Sequence, residues 1–184
     1  MWLRLPYILS VVLIAQIALA SDMAGDIPEE PGVYYLQDRK GTAPEWIRLG
    51  KVTVDGVNAG GMKTFLDTGG HTNLNTTIAY QGATSGMVIA NSNPTFFIRK
   101  AESVKNLRIV RLARAQDRRV IRTSPFSASR DNRAGFRPGD IFRLNFKENP
   151  DGSHTAMPER PLPAGEYLLT ADDALSGYDF TISD

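Results

Sequence analysis

From Val33 onward the chain is a succession of short apolar runs separated by polar turns. Three of these runs carry most of the pattern: Pro94-Thr-Phe-Phe-Ile-Arg, Leu107-Arg-Ile-Val-Arg-Leu and Arg118-Arg-Val-Ile-Arg-Thr. Each is rich in β-branched and aromatic residues and each is threaded with arginine. That composition at period two predicts consecutive antiparallel strands, placed at the middle of a sheet. Before them come Val33–Gln37, Glu45–Leu49 and Lys51–Asp55, the last stopping at Gly56, with Gly60-Gly61 as a turn that lets Met62–Leu66 run back. Thr76–Tyr80, ending at Gly82, and Met87–Ala90 complete the N-terminal half. After them come Ile141–Phe146, a turn at Asn149-Pro-Asp-Gly, Ser153–Met157, Leu162–Thr170 and Tyr178–Ile182.

No stretch holds a 3.6-residue period for three turns. Ala101–Asn106 and Leu112–Asp117 come nearest and would give short connectors. Ten or more short strands with no helices between them predict an all-β antiparallel sandwich, with a partly open barrel as the alternative. Phe96, Ile98, Ile109, Val120, Phe142, Leu144, Tyr167, Leu169 and Phe180 stand at alternate positions in these runs and are the expected common core between two sheets. Ser124–Gly139 is polar and irregular, a connection long enough to be functional.

The 184 residues fit one domain behind a leader. Arg4, the apolar run Leu5–Leu19 and the small-x-small end Ala18-Leu-Ala20 read as a signal peptide over 1–20, cleaved after Ala20. The apolar run is shorter than the roughly 20 residues that span a bilayer, so no transmembrane segment is expected after cleavage. Residues 21–32 form a flexible acidic arm, and 33–184 the β-domain. The chain has no cysteine, which excludes disulfides, thiol catalysis and cysteine-ligated metals. An exported domain of this size without disulfides points to a bacterial periplasmic or secreted protein.

Charge changes the picture further. The precursor carries 21 Lys/Arg against 20 Asp/Glu, near neutrality that hides an asymmetry. Between Arg99 and Lys147 there are 14 basic and 4 acidic residues, whereas Glu148–Asp184 holds 1 Arg and 8 acids. Blocks of opposite sign either lie against each other in the fold or mark a binding face.

Gly82-Ala83-x-Ser85, the Phe96-Phe-Ile-Arg strand, the Ile109-Val-Arg-Leu and Asp117-Arg-Arg-Val-Ile pair, Leu162-Pro-x-Gly-Glu-Tyr and Tyr178-Asp-Phe together make a pattern over most of the mature chain. In these elements the chain resembles a loosely defined group of uncharacterised secreted bacterial β-domains. The resemblance implies an exported β-sandwich-like domain and assigns no activity.

Candidate chemistry is sparse. Phe65-Leu-Asp67-Thr68-Gly69 is similar to the active-site loop of aspartic proteases, in which Asp67 would be the catalytic carboxylate, Thr68 would brace the loop and Gly69 would permit the turn. That chemistry needs two carboxylates sharing a proton, so one copy implies a retropepsin-like homodimer. Gly70 departs from the Ser, Thr or Ala usual there, and Asp-Thr-Gly-Gly is equally a hairpin turn. His71 and His154 are the only histidines and are far apart, so no metal site or cofactor is expected. Ser85 lies in Gly82-Ala-Thr-Ser-Gly86, which is not the nucleophile-elbow spacing.

The remaining signal is arginine. Arg99, Arg108, Arg111, Arg118, Arg119 and Arg122 in the strands, with Arg130, Arg133 and Arg137 in the loop, could offer guanidinium forks to an anionic partner. Arg118, Arg122, Arg130, Arg133 and Arg137 form the candidate ligand-binding set. The competing reading is that arginines mark the solvated faces of strands and are neutralised by the acidic C-terminal strands. Export and the lack of a recognition motif argue against nucleic acid. The reading of the whole is a non-catalytic, envelope-associated binding module for an anionic glycan or lipid, or for another envelope protein, with the Asp67 protease as the alternative.

Overall fold

The computed structural model describes residues 27–39, 41–60, 75–99, 104–123, 135–171 and 174–183. Among them the chain forms fourteen strands: β1 (Gly32–Gln37), β2 (Glu45–Arg48), β3 (Lys51–Thr53), β4 (Gly56–Gly60), β5 (Asn75–Gln81), β6 (Val88–Ile89), β7 (Phe96–Arg99), β8 (Arg108–Ala115), β9 (Arg118–Thr123), β10 (Ile141–Phe142), β11 (Leu144–Glu148), β12 (His154–Pro158), β13 (Gly165–Thr170) and β14 (Ser176–Ile182). The only helical turns among the described residues are the 3-10 turns Val104–Asn106 and Pro138–Asp140. The fold is all-β in two sheets, antiparallel except where β6 runs parallel to β14.

The first sheet has the order β11-β12-β7-β1-β2. The second runs β3-β14-β13-β8-β9-β5-β4, with β10 beside β8 and β6 beside β14. It curls until its two ends meet, because β3 and β4 are consecutive in sequence. At the joint between them, the Val54 amide donates to Leu175 O and the Asp55 amide to Ala79 O. Gly56 therefore begins a strand where the sequence placed a stop, and the proposed Met62–Leu66 strand lies outside the described residues.

Two cores follow from period-two alternation. Between the sheets, Val33, Phe96, Ile98, Ile109, Phe142, Leu144, Tyr167, Leu169, Phe180 and Ile182 are packed with almost no exposure. An aromatic chain runs through this layer, from Phe96 on the first sheet to Phe180 (5.4 Å between rings), then Tyr167 (5.6 Å) and Phe142 (5.6 Å) on the second. Such pairs add roughly 0.5–1.5 kcal/mol each to their area burial. Tyr167 is held at its polar tip as well, its hydroxyl donating to Pro163 O at 2.5 Å, and burial pushes its pKa up. The opposite face of the same strands fills the inside of the curl, where Ile78, Tyr80, Val110, Leu112, Ile121, Phe136 and Leu168 meet.

The central trio of runs does not stay together. β7 lies in the middle of the first sheet and pairs with β1 and β12, while β8 and β9 form a hairpin in the second. The hairpin turns at Gln116-Asp117 with Gln116 at φ 56°, a left-handed position filled without glycine. Eight of the nine expected core residues line the inter-sheet layer, and Val120 is the exception. On β9 it is Ile121 that points into the curl, so Val120 shares the outer face with Arg118 and Arg122.

Arg99 serves the first sheet. It donates to Pro28 O at 2.8 Å and pairs with Asp151 at 3.3 Å, while Arg48 reaches Glu30 and Pro31 O and the Tyr34 hydroxyl reaches Glu30 O. These contacts lay the last residues of the acidic arm against the sheet. Close packing also fixes Gly177, where a Cβ would sit 2.6 Å from Leu169 O and 2.9 Å from the Leu168 side chain.

Replacing Phe142 with Ala should lower the unfolding free energy by about 3–5 kcal/mol, as large cavities in such cores do. Val120→Ala, at a position that faces out of both clusters, should cost about 2 kcal/mol or less for the methyl carbons lost. Urea denaturation of the two variants measures both values, and equal losses would contradict the division of the core.

Candidate anion-binding cleft

The arginines of β8 and β9 divide into two populations. Arg119 is buried at 3% exposure inside the curl, where a guanidinium is tolerated only if its donors are satisfied. They are: Nη1 bonds the Asp179 carboxylate on β14, Nη2 donates to Gln81 O at 2.8 Å and Nε to Gly82 O at 3.1 Å. Arg114 on β8 reaches Glu166 on β13 at 2.8 Å. Glu166 is itself 2% exposed and also accepts from the Ser85 amide at 3.0 Å and the Thr181 hydroxyl at 2.8 Å. Burial alone would raise its pKa. The bonds from Arg114, Ser85 and Thr181 outweigh that and hold the carboxyl below its usual range.

The segment Gly82–Met87 closes this end of the curl. Gly82 takes φ +80°, turning its carbonyl onto Arg119. Ser85 gives its amide to Glu166, and its hydroxyl accepts the Met87 amide at 3.1 Å. Gly82 and Ser85 are thus parts of a cap beside two ion pairs, of which Arg119–Asp179 is buried on both sides and Arg114–Glu166 only on the carboxylate side.

On the outer face the geometry is different. β8 pairs with β9 over residues 113–115 but with β10 over residues 109–110, so the two partners diverge beside Arg111 and Leu112. β9 ends in a bridge between Thr123 and Phe136, which returns the chain beside it and brings Arg137 and the Pro138–Asp140 turn to the fork. The space between is a cleft of about 480 Å³ lined by Arg111, Arg114, Arg122, Arg137, Asp140 and Glu166, with Val120 in its wall. Gly165 leaves room for one of these side chains, since a Cβ there would come within 3.3 Å of Arg111 Nε. Arg111 spends one donor on Ala164 O at 3.1 Å. Arg122 and Arg137 form no ion pair or side-chain hydrogen bond with any described residue.

Of the five arginines singled out in the sequence, the structure brings Arg122 and Arg137 together. Arg118 is elsewhere, paired with Asp55 at 3.5 Å and Asp117 at 3.7 Å. Arg130 and Arg133 lie outside the described residues, as do Asp67, Thr68, Gly69 and His71. His154 sits on β12 opposite Ile98, away from the cleft. Arg111, Arg114, Asp140 and Glu166 were not in the sequence set. The hairpin register carries a signal for Arg111: Ala113 faces Val120, and extending that count by two residues along each strand sets Arg111 beside Arg122. Among the described residues no group of three or more His, Asp or Glu side chains is placed to hold a metal ion.

The fold defines the class: an all-β protein in which a five-stranded sheet packs on a curled second sheet that bears an arginine-lined cleft. No family model, curated protein or solved structure matches the chain.

Two outcomes check the buried network. Arg119→Met leaves Asp179 charged and unpaired, and should cost roughly 3–5 kcal/mol in urea denaturation at pH 7. Because the folded pKa of Glu166 lies below its unfolded value, its stabilisation is complete above about pH 4.3 and is lost as pH falls through the folded value. Glu166→Gln should therefore flatten the acid side of the stability profile, measured as urea midpoints from pH 7 to pH 2, and an unchanged slope would remove Glu166 from that role.

Proposed function

We propose that this chain is a secreted or periplasmic binding module that holds an anionic group of an envelope glycan or lipid in the cleft between β9 and β10. The observation that carries the reading is the pair of guanidinium groups, Arg122 and Arg137, that meet in a concave site with no ion pair to any described residue. Elsewhere in the same region acids absorb the basic charge: Asp179 on β14 takes Arg119, Glu166 on β13 takes Arg114, and Asp55 in the link between β3 and β4 takes Arg118. Arginine on a solvated strand face needs no cleft. Here two arginines with no ion pair to a described acid share a hollow with Arg111.

The signal-peptide reading of residues 1–20 and the resemblance to secreted β-domains both support an exported location. Guanidinium forks suit carboxylate and phosphate oxygens, and the open cleft admits one unit of a longer polymer or a headgroup. The chemistry this reading requires is binding alone.

Retention of the mature chain on immobilised lipopolysaccharide, at low and moderate salt, tests this. Wild type should be retained at low salt and released as screening shortens the Debye length to about 10 Å at 0.1 M. Arg122→Ser/Arg137→Ser should lose retention while keeping the wild-type circular dichroism spectrum. Arg118→Ser should behave as wild type, because that side chain is outside the cleft. Equal retention of the double variant, or none by wild type at low salt, would dismiss the cleft as a polyanion site.

A further inference from the structure

Resting on the binding reading above, we infer that the group the cleft recognises is a phosphate monoester rather than a carboxylate. The argument is one of charge and donor count. Arg111, Arg114, Arg122 and Arg137 contribute four positive charges and Asp140 and Glu166 two negative ones, so the cleft carries a net charge of +2. A phosphate monoester carries about −1.5 to −2 near neutral pH and presents three terminal oxygens. A carboxylate carries −1 and two oxygens, and a single arginine satisfies it through one bidentate contact. A carboxylate ligand would thus leave an excess cation in the cleft, and a sugar uronate would use a fraction of the donors.

The donors come from three separate elements, which also suits a tetrahedral group. Arg111 is on β8, Arg122 on β9, and Arg137 at the entry to the Pro138–Asp140 turn. Arg114 is already committed to Glu166, which is fixed by Ser85 and Thr181, so Arg122, Arg137 and the spare donors of Arg111 receive the ligand. Phosphate monoesters reach an envelope protein either as small soluble esters or as lipid headgroups, and the chemistry of the cleft is common to both.

The experiment uses the mature chain and four probes: glycerol 3-phosphate, galacturonate, polygalacturonate, and phosphatidylcholine vesicles with or without phosphatidate. Calorimetric titration should show glycerol 3-phosphate binding at least about tenfold tighter than galacturonate, as expected when the second charge and third oxygen are used. No histidine lines the cleft among the described residues, so a rise in affinity from pH 5 to pH 7.5 would follow the second ionisation of the ester near pH 6. Galacturonate should show no such rise. Arg122→Ser/Arg137→Ser should abolish phosphate binding with its circular dichroism spectrum unchanged, and Arg122→Lys should restore only part of it, because an ammonium lacks the fork.

Binding of glycerol 3-phosphate assigns a soluble ester, and flotation only with phosphatidate vesicles assigns a headgroup. Either outcome supports the inference. Galacturonate binding as tightly as glycerol 3-phosphate, or retention on polygalacturonate with neither phosphate probe bound, overturns it and leaves the binding module standing. Failure of all four probes, together with no retention on lipopolysaccharide, overturns both.

Discussion

The contact on which the second sheet depends is the one between Arg119 and Asp179. These residues belong to β9 and β14, with β8 and β13 between them. In a flat sheet three strand spacings would hold them about 14 Å apart, with side chains standing side by side. They meet because the sheet curls and its concave face closes on them. The curl in turn needs the pair, since each charge buried alone would cost several kcal/mol. Three other features agree with the same curvature. The Tyr80 hydroxyl on β5 reaches Ala174 O at 2.5 Å, Phe136 fills the interior, and β3 runs on into β4 so that the sheet's ends adjoin.

That curvature has a consequence on the outside. A hairpin bound inward by Arg119 and Arg114 cannot stay level with β10, which pairs with the start of β8, so β8 changes partner along its length. The cleft is the gap left by that change. The cap at Gly82–Met87 bonds to the same network, through the Ser85 amide to Glu166 and the Gly82 carbonyl from Arg119. Fold and candidate site are therefore one electrostatic problem with two faces. Inside, arginine is matched to carboxylate, and outside, Arg122 and Arg137 line the cleft with no ion pair to a described residue.

Much of the architecture is visible in the sequence. The strand runs with their alternation and turn residues mark most elements, and eight of nine chosen core positions lie between the sheets. Val120 shows where such reasoning stops. Arg118-Arg-Val-Ile-Arg alternates equally well in either parity, because Val120 and Ile121 are both apolar and arginine stands on both sides of them. Only the partner across the curl decides that Ile121 and Arg119 face inward. The antiparallel pairing of β8 with β9 follows from the consecutive runs, but its turn position carries no mark, since the left-handed residue is Gln116 instead of the glycine or asparagine that signals such turns.

Local chemistry was enough to determine strands, because whether a residue run fits a pleated, half-buried surface is a property of consecutive side chains. Composition also determined that stability comes from packing and paired charges, there being no cysteine to add a covalent link. The charge blocks were legible too, as a statement that basic and acidic segments exist. Which arginine meets which acid was decided by tertiary structure alone. Glu166 is 52 residues from Arg114, Asp179 is 60 from Arg119, and no local pattern sets those distances to contact. An ion pair forms where sheet order and curl bring two side chains together, and a binding charge is whatever that pairing leaves over.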